Sequence, residues 1–181
     1  TMYRALAWSV LRSGIQTNNA RAVVEHLRGI EMCCGISGDK ATLTVDGVDP
    51  GSELKSSGVN AGVSAVSQVP EVRDVLVAKQ REYLSVADIV MEGRDIGSVV
   101  FPDTPYKFFI DASIDVRAKR RRKEGIVDNL AERDAVDSSR AMSPMVVADD
   151  AAVIDTSEMT LEEVLEEVLD RLRVSGLDVL D

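Results

Sequence analysis

The sequence contains few of the residues on which metal sites and disulfide frameworks depend. It has one histidine, His26, and two cysteines, Cys33 and Cys34, among 181 residues. The cysteines are adjacent on a predicted strand, where successive side chains point to opposite faces, so we do not expect them to bridge each other. One histidine and two adjacent cysteines give no metal-ligand spacing. We interpret His26 as structural and both cysteines as packing residues of a reduced, cytoplasmic protein.

Positive charge and long apolar runs are scarce as well. The formal net charge is −10, which argues against non-specific binding of the whole chain to nucleic acid. No apolar run approaches the roughly 20 residues that a membrane-spanning helix needs. Hydrophobic residues make up 45% of the chain, which is enough for one substantial core with room for one insert. These features predict a globular protein without a membrane-spanning helix and without general affinity for nucleic acid, and they leave a local cationic site open.

The central stretch, IVMEGRDIGSVVFPDTPYKFFID, is the part around which the rest is organised. A strand is predicted at Ile89–Met91 and a second at Tyr106–Ile110, with a tight polar turn after the first. In an open parallel sheet, ligands bind beyond the carboxyl ends of the strands. Arg94 and Asp95 would lie there after the first strand, and Asp111 after the second. The alternative is a surface turn with a local Arg-Asp pair, which is the commoner meaning of an isolated Gly-Arg-Asp triplet.

Strands that alternate with helices predict the rest of the architecture. The predicted helices cover Met2–Arg12, Ala20–Arg28, Ser57–Gln68, a segment that starts at Pro70, Val116–Glu124, Leu130–Ser139 and a last segment from Thr160 to Leu172. The other predicted strands are Ile30–Ile36, Ala41–Val45 and Ala151–Asp155. This order indicates an α/β protein in which a parallel sheet is covered on both faces and interrupted by an insert that contains a hairpin.

The predicted helix at Val116–Glu124 carries a basic run. Six of the seven residues from Arg117 to Lys123 are arginine or lysine. Most charge runs are solvated helix faces, and a nucleic-acid surface would also need aromatic partners and a wider basic area. A third reading is a phosphate clamp, in which arginine forks neutralise a polyphosphate. The acidic background favours a focused site over a general basic patch.

A second charged cluster lies in and just after the predicted helix at Leu130–Ser139. Arg133 and Asp137 are four residues apart and Arg140 follows Asp137 by three, so the three side chains share one side of a helix. They form either surface ion pairs worth under about 1 kcal/mol or an arm that offers arginine to phosphate and aspartate to a base or sugar.

Several multi-residue motifs occur together and in order: MYRALAW, EGRDIGSVVFPD, KFFIDAS, ERDAVDSSRAMSP and AVIDTSEMTLEEV. Together they resemble the bacterial cytidylate kinases over nearly the whole chain. The resemblance implies an α/β fold of the P-loop nucleoside monophosphate kinase type, with a parallel-sheet core (1–28, 84–116 and 141–181), an antiparallel monophosphate-binding insert (29–83) and a small helical lid (117–140). The implied reaction moves the γ-phosphoryl group of ATP to CMP or dCMP. Mg²⁺ would be carried by the nucleotide, with no metal bound directly by the protein, and we expect a monomer.

The resemblance also implies roles for residues in the first half of the chain. Tyr3 and Arg4 would line the CMP site, with Arg4 on the phosphate. Ser64 would contact the cytosine edge, and Arg73 the base or the phosphate. Lys55 departs from the family pattern, because an arginine is usual at that place.

The second half would supply most of the residues that act on the phosphates. CMP and its phosphate would be bound by Arg94, Asp95, Arg133, Asp137 and Arg140, and ATP by the lid arginines Arg117, Arg120 and Arg121. Within this set, Arg94 would hold the acceptor phosphate and Asp95 the base or the network on the metal side. The implied catalytic residues are these two together with Arg133 and Arg140. Phosphoryl transfer depends on positioning and charge neutralisation more than on covalent chemistry, which agrees with a site built from arginines.

One motif of the family is not in the sequence. No stretch matches GxxxxGK[ST], the loop that cradles the ATP phosphates. We expect that loop, with a strand and a helix, in roughly 25–35 residues upstream of Thr1. The 181-residue chain alone is expected to bind CMP weakly and to transfer no phosphoryl group. Two alternatives stay open: a non-catalytic nucleotide-binding fragment, and a nucleic-acid-binding protein that uses the basic run at 117–123.

Overall fold

The computed structural model describes residues 1–123 and 146–177, which fall into two compact units, Thr1–Met91 and Glu92–Asp181. The first unit contains α1 Met2–Arg12, α2 Ala20–Gly29, β1 Met32–Ser37, β2 Lys40–Val45, α3 Ser57–Ser67 and α4 Pro70–Glu82, with short 3-10 turns at Gly51–Lys55 and Tyr83–Ser85. The second unit contains a π-helical turn at Ile96–Val100, β3 Phe108–Asp111, α5 Ile114–Lys123, β4 Ala152–Asp155 and α6 Leu161–Val174. Within these ranges, every helix is too short or too polar to cross a membrane.

Helix α1 is the centre of the first unit. Most of its residues are buried, and Leu6 and Val10 have no exposed surface at all. The other helices contribute single apolar faces at helical spacing, formed by Val23 and Leu27, by Val59 and Val66, and by Val72 and Leu76. Full burial of such a side chain stabilises by roughly 1.5–3 kcal/mol relative to exposure. The first unit therefore depends on α1 more than on any other of its helices.

Helix α3 approaches its neighbours closely because it is built from small residues. A Cβ atom on Gly62 would lie 2.7 Å from Thr17 Cγ2, and one on Gly58 would lie 3.5 Å from Leu11. The first distance is too short for any side chain, so glycine at position 62 lets the loop after α1 lie directly against α3.

The predicted hairpin is confirmed. Strands β1 and β2 are antiparallel, and their register runs from Met32 opposite Val45 to Ser37 opposite Lys40. The connecting turn contains Gly38 with φ +61°, a left-handed conformation that glycine adopts without strain. The turn residues and the strand propensity of the flanking segments therefore both favour the hairpin that is observed.

The interpretation of the histidine is consistent with the structure, and that of the cysteines is only half correct. His26 Nε2 lies 2.8 Å from Ser9 Oγ, which joins α2 to α1, and burial lowers the pKa of the imidazole. The two cysteines do not bridge each other. Cys34 is half-buried, and burial raises the pKa of its thiol, whereas Cys33 is exposed and is not a packing residue.

Strands β3 and β4 form a parallel pair in the second unit. Phe108 is opposite Ala152 and Asp111 is opposite Asp155, so both strands point their carboxyl ends in one direction. Helix α6 begins with a capping box. Its Thr160 hydroxyl accepts a hydrogen bond from Glu163 N at 3.2 Å, and the Glu163 carboxylate accepts one from Thr160 N at 2.7 Å.

The prediction of a buried strand at Ile89–Met91 is wrong. The segment has no strand conformation, and Val90 is fully exposed at 104%. A parallel strand needs a neighbour to pair its N–H and C=O groups. In the described part of the chain β3 pairs only with β4, so an apolar triplet alone did not suffice to make a third strand.

The prediction of a sheet covered on both faces is wrong for the residues described. Ile110 on β3 is opposite Ile154, and Val153 on β4 is opposite Phe109, so Ile110 and Val153 are on opposite faces of the strand pair. Their side chains are 50% and 54% exposed. The coarser prediction, an α/β protein with a parallel pair of strands, is confirmed. The predicted helix at Leu130–Ser139 lies outside the described residues. The division into core, insert at 29–83 and lid at 117–140 stays a prediction.

Candidate functional site

Tyr3 and Arg73 are in direct contact inside the first unit. The guanidinium carbon of Arg73 lies 5.2 Å from the centre of the Tyr3 ring, within the range of a cation–π interaction. Arg73 is only 2% exposed, and it donates a hydrogen bond to the Ser67 carbonyl at 3.1 Å. Ser67 is the last residue of α3, where helix carbonyls are available as acceptors and the helix dipole favours a cation. The structure thus holds a buried positive charge between α1, α3 and α4.

Arg4, the next residue on α1, is anchored to the turn before α3. Its Nη1 atom donates to the Leu54 carbonyl at 2.8 Å and to Asn60 Oδ1 at 2.7 Å. One helical turn further along α1, Trp8 Nε1 donates to Glu53 Oε2 at 2.6 Å. Two side chains four residues apart on α1 therefore bind two adjacent residues of the turn.

Ser64 is one helical turn after Asn60 on α3, so the two side chains share a face of that helix. Asn60 is exposed and contacts Arg4, so this face reaches α1 beside the buried face that contains Val59 and Val66. The Ser64 side chain is half-buried, and its carbonyl accepts hydrogen bonds from Ser67 Oγ at 3.0 Å and from the Gln68 amide at 3.2 Å. The structure places the residues expected at the acceptor site in the first unit on three adjoining helices: Tyr3, Arg4, Ser64 and Arg73.

In the second unit, Arg94 and Asp95 precede the π-helical turn at Ile96–Val100. The Asp95 carbonyl accepts hydrogen bonds from Val99 N at 2.9 Å and Val100 N at 3.2 Å. Asp95 is 7% exposed and Arg94 is half-buried. The triplet is therefore not an exposed surface turn, although it follows no strand.

Two glycines explain how the chain folds so tightly around Arg94. A Cβ atom on Gly93 would lie 2.9 Å from the Ile96 side chain, and one on Gly97 would lie 3.2 Å from the Lys107 side chain. A side chain at either position would force its neighbour to move, most of all at Gly93. Glycine at these two positions therefore lets the Ile96 and Lys107 side chains pack against the backbone on either side of the Arg-Asp pair.

Arg117 and Arg120 bind backbone at the carboxyl ends of the two parallel strands. Arg117 Nε donates to the Ala112 carbonyl at 2.9 Å and lies 3.8 Å from Asp111 Oδ1. Arg120 donates to the hydroxyl and the carbonyl of Thr156 at 2.9 and 2.6 Å. These two guanidinium groups therefore tie α5 to the segments after β3 and β4. Arg121 is half-buried on the same helix, and Arg133, Asp137 and Arg140 lie outside the described residues.

Comparison with known proteins identifies the family. The sequence profile of the cytidylate kinases matches residues 1–174. The chain belongs to the cytidylate kinase family. It is 39% identical over 183 residues to the cytidylate kinase of Caldanaerobacter subterraneus subsp. tengcongensis, with 95% of this chain and 80% of that protein covered. The cytidylate kinase of Nocardia farcinica is 38% identical over 179 residues (92% and 77% covered), and that of Mycobacterium avium is 40% identical over 184 residues (95% and 81% covered). The family membership that the motifs implied is thereby confirmed.

In this member of the cytidylate kinase family, sequence reasoning missed an ion pair between a buried lysine and an exposed aspartate. Lys107 is 6% exposed, and its Nζ lies 2.6 Å from Asp150 Oδ2 and also donates to the Pro102 carbonyl. The hydrogen bond from Lys107 lowers the pKa of Asp150. The sequence does contain an indication of this pair. Lys107 directly precedes the apolar residues of β3, and a lysine that is buried next to such a strand needs a partner for its charge. Asn60 was missed as well, and no pattern in the sequence marks it as a partner of Arg4.

The carboxyl ends of β3 and β4 carry the register partners Asp111 and Asp155. Asp155 Oδ1 accepts hydrogen bonds from the hydroxyl and the N–H of Ser157 at 2.6 and 2.9 Å, and these bonds lower the pKa of its carboxyl group. Asp111 Oδ1 accepts from Ala112 N at 2.8 Å. Residues 1–123 and 146–177 contain no group of three or more histidine, cysteine, aspartate or glutamate side chains that could hold a metal ion.

Proposed function

We propose that this protein is a cytidylate kinase, which transfers the γ-phosphoryl group of ATP to CMP and yields CDP and ADP. The observation that carries the proposal is the family match along residues 1–174. It is supported by the relatives named cytidylate kinase, which are 38–40% identical to this chain. dCMP is proposed as a second acceptor. The protein is further proposed to act as a cytoplasmic monomer without nucleic-acid partners.

The first unit is proposed to bind the acceptor nucleotide. Arg4 would contact the CMP phosphate, Arg73 the phosphate or base, and Ser64 the cytosine edge, with Tyr3 holding Arg73 in place. The geometry supports this assignment, because both arginines are fixed by other parts of the first unit. Arg4 donates to the Leu54 carbonyl, and Arg73 donates to the Ser67 carbonyl and lies over the Tyr3 ring. Pre-positioned cations of this kind stabilise a phosphate without having to be ordered on binding.

The second unit is proposed to act on the transferring group. Arg94 would hold the acceptor phosphate and Asp95 the base or the network on the metal side. Arg133, Asp137 and Arg140, outside the described residues, are proposed to bind CMP and the transferring phosphoryl group.

Arg117, Arg120 and Arg121 are proposed to bind ATP. Arg117 and Arg120 would have to exchange their bonds to the Ala112 and Thr156 carbonyls for bonds to phosphate. Closure of a lid on ATP would provide such an exchange.

Mg²⁺ is proposed to arrive with ATP. When bound it neutralises charge on the β- and γ-phosphates. In this proposal the protein's own residues act on the two nucleotides by binding and orienting them.

The test is to incubate the complete gene product with ATP, Mg²⁺ and each of CMP, dCMP, UMP and AMP, and to measure the diphosphates by ion-exchange chromatography. CDP and dCDP should form much faster than UDP or ADP from the added monophosphates. Binding of CMP by calorimetry without any CDP would instead support the non-catalytic alternative. Retention of RNA in a gel-shift assay at low salt, with no binding of CMP, would support the nucleic-acid alternative.

A further inference from the structure

The side-chain amide of Asn60 joins two parts of the first unit. Its Oδ1 atom accepts a hydrogen bond from Arg4 Nη1 at 2.7 Å, and its Nδ2 atom donates to the Lys55 carbonyl at 2.9 Å. The same Arg4 nitrogen donates to the Leu54 carbonyl at 2.8 Å. Arg4 is thus bound at one nitrogen by two acceptors, and one of these acceptors is itself fixed to the turn at Gly51–Lys55.

The position of Asn60 on α3 is otherwise unfavourable. Asparagine has a low helix propensity away from a helix end, and Asn60 is exposed, so it contributes no core packing. Ser56 already caps this helix, since its hydroxyl accepts from Val59 N. The bonds to Arg4 and to Lys55 are the contacts that account for an asparagine at this place.

The chemistry of an amide suits a particular task. A carboxylate at this position would also accept a hydrogen bond from Arg4, but it would neutralise the guanidinium and compete with an anionic ligand. An amide oxygen fixes the plane of the guanidinium group and leaves its full positive charge. Asn60 therefore orients a cation without reducing its attraction for phosphate.

We propose that Asn60 is a positioning residue that directs Arg4 toward the phosphate of the acceptor nucleotide. This inference rests on the proposed function, because it takes Arg4 to be the residue that binds the CMP phosphate. Asn60 acts through Arg4 and through the turn at Gly51–Lys55, and it is not required to touch the substrate.

The test compares Asn60→Ala and Asn60→Asp in the complete gene product. Asn60→Ala removes one of the two acceptors of Arg4 Nη1 and should raise the KM for CMP about fivefold, as expected for the loss of one orienting hydrogen bond. Asn60→Asp keeps an acceptor for Arg4 but adds a negative charge, so it should raise the KM for CMP further, by more than about tenfold. The KM for ATP should stay within a factor of about two in both variants, because the substitutions affect the binding of CMP and not that of ATP.

Two controls separate positioning from a general structural effect. Asn19→Ala removes the side chain that caps α2 by accepting from Ala22 N; it should lower the melting temperature and leave the KM for CMP unchanged. Asn60→Ala made in an Arg4→Ala background should have no further effect on the KM for CMP.

The outcomes are distinguishable. An unchanged KM for CMP in both variants, equal effects of the alanine and aspartate substitutions, or an effect of Asn60→Ala that persists without Arg4 would each overturn the inference while the kinase activity stands. Failure of the unaltered protein to make CDP would overturn the proposed function itself, and the inference with it.

Discussion

The Arg120 guanidinium binds both oxygen atoms of Thr156 that a donor can reach, the hydroxyl at 2.9 Å and the carbonyl at 2.6 Å. Thr156 is 2% exposed, and its own N–H and hydroxyl donate to the Asp111 carbonyl, each at 2.8 Å. A single buried threonine therefore connects the ends of both parallel strands to α5. The basic run at 117–123 is consequently not a uniform charged surface, because Arg117 and Arg120 both take part in the fold.

Replacing Arg120 should therefore destabilise the second unit. We expect Arg120→Ala to lower the free energy of unfolding by roughly 1.5–3 kcal/mol, because a charged donor to a buried threonine is lost. Arg122→Ala removes the same charge from an exposed position on the same helix and should change stability by less than about 0.5 kcal/mol. Urea denaturation followed by circular dichroism measures both. Equal effects of the two substitutions would mean that the Thr156 contacts add nothing to stability.

The Lys107–Asp150 pair should make stability depend on pH. The pKa of Asp150 is lowered in the folded protein, mainly by the hydrogen bond from Lys107. The ionised Asp150 therefore contributes fully to the stability of the folded protein above the unfolded-state pKa of about 3.9. This contribution is lost as the pH falls through the lower pKa that Asp150 has in the folded protein. The stability difference between the unaltered protein and Asp150→Asn should shrink as the pH falls from about 6 to about 3. The neighbouring substitution Asp149→Asn is the control, and a pH-independent difference for Asp150→Asn would contradict the assignment.

Close packing at Gly62 should not tolerate even one methyl group. Gly62→Ala would place Cβ 2.7 Å from Thr17 Cγ2, and overpacking of this kind costs about 1–3 kcal/mol. Gly29→Ala is the matched control, because no atom lies within 4 Å of the new Cβ; it should be neutral or slightly stabilising. Thermal unfolding of the two variants gives the comparison. If both melted alike, the approach of the loop to α3 would be looser than the structure indicates.

Ser64 should contribute to acceptor binding through its hydroxyl. On the proposal that it bonds the cytosine edge, Ser64→Ala should weaken CMP binding by roughly 1–2 kcal/mol. Ser57→Ala, at the exposed start of the same helix, should leave the affinity unchanged. Isothermal titration calorimetry with CMP tests the pair, and identical affinities for Ser64→Ala and the unaltered protein would remove Ser64 from the site.

Arg94 should matter more for turnover than any single arginine of the basic run. The residue adjoins a tight turn in which the carbonyl of the buried Asp95 accepts two backbone hydrogen bonds, so its backbone is held in position before substrate binds. We expect Arg94→Ala to lower kcat by roughly 10²-fold or more, as for other charge-stabilising donors. Arg28→Ala, an exposed arginine of α2, is the control for the loss of charge. Near-normal turnover of Arg94→Ala would leave the Gly-Arg-Asp segment with a purely structural role.

The parts of the fold that local rules govern could be predicted from the sequence. The hairpin between β1 and β2 follows from turn residues such as Gly38, and the capping box of α6 follows from the spacing of Thr160 and Glu163. The prediction of a strand at Ile89–Met91 was wrong. A strand needs a pairing partner that is often distant in the chain, and an apolar triplet does not reveal whether that partner exists.

The candidate site was accessible mainly through the resemblance. Tyr3 and Arg73 meet across seventy residues of chain, and no periodicity indicates such a contact. The bonds of Arg120 to Thr156 and of Arg4 to Asn60 were missed for the same reason, since each joins residues far apart in sequence. What physical reasoning did supply was the residue type, because a phosphate site in an acidic protein must be built from a few concentrated arginines.

Core residues and residues of the proposed acceptor site lie side by side on helix α1. Leu6 and Val10 are fully buried, and Arg4 and Trp8, which alternate with them along the helix, bind the turn before α3. A substitution that shifts this helix therefore alters folding and recognition at once. Attempts to change acceptor preference by directed evolution should accumulate substitutions in α3 and the turn before it, where exposed positions such as Lys55 and Asn60 can vary without loss of the folded protein.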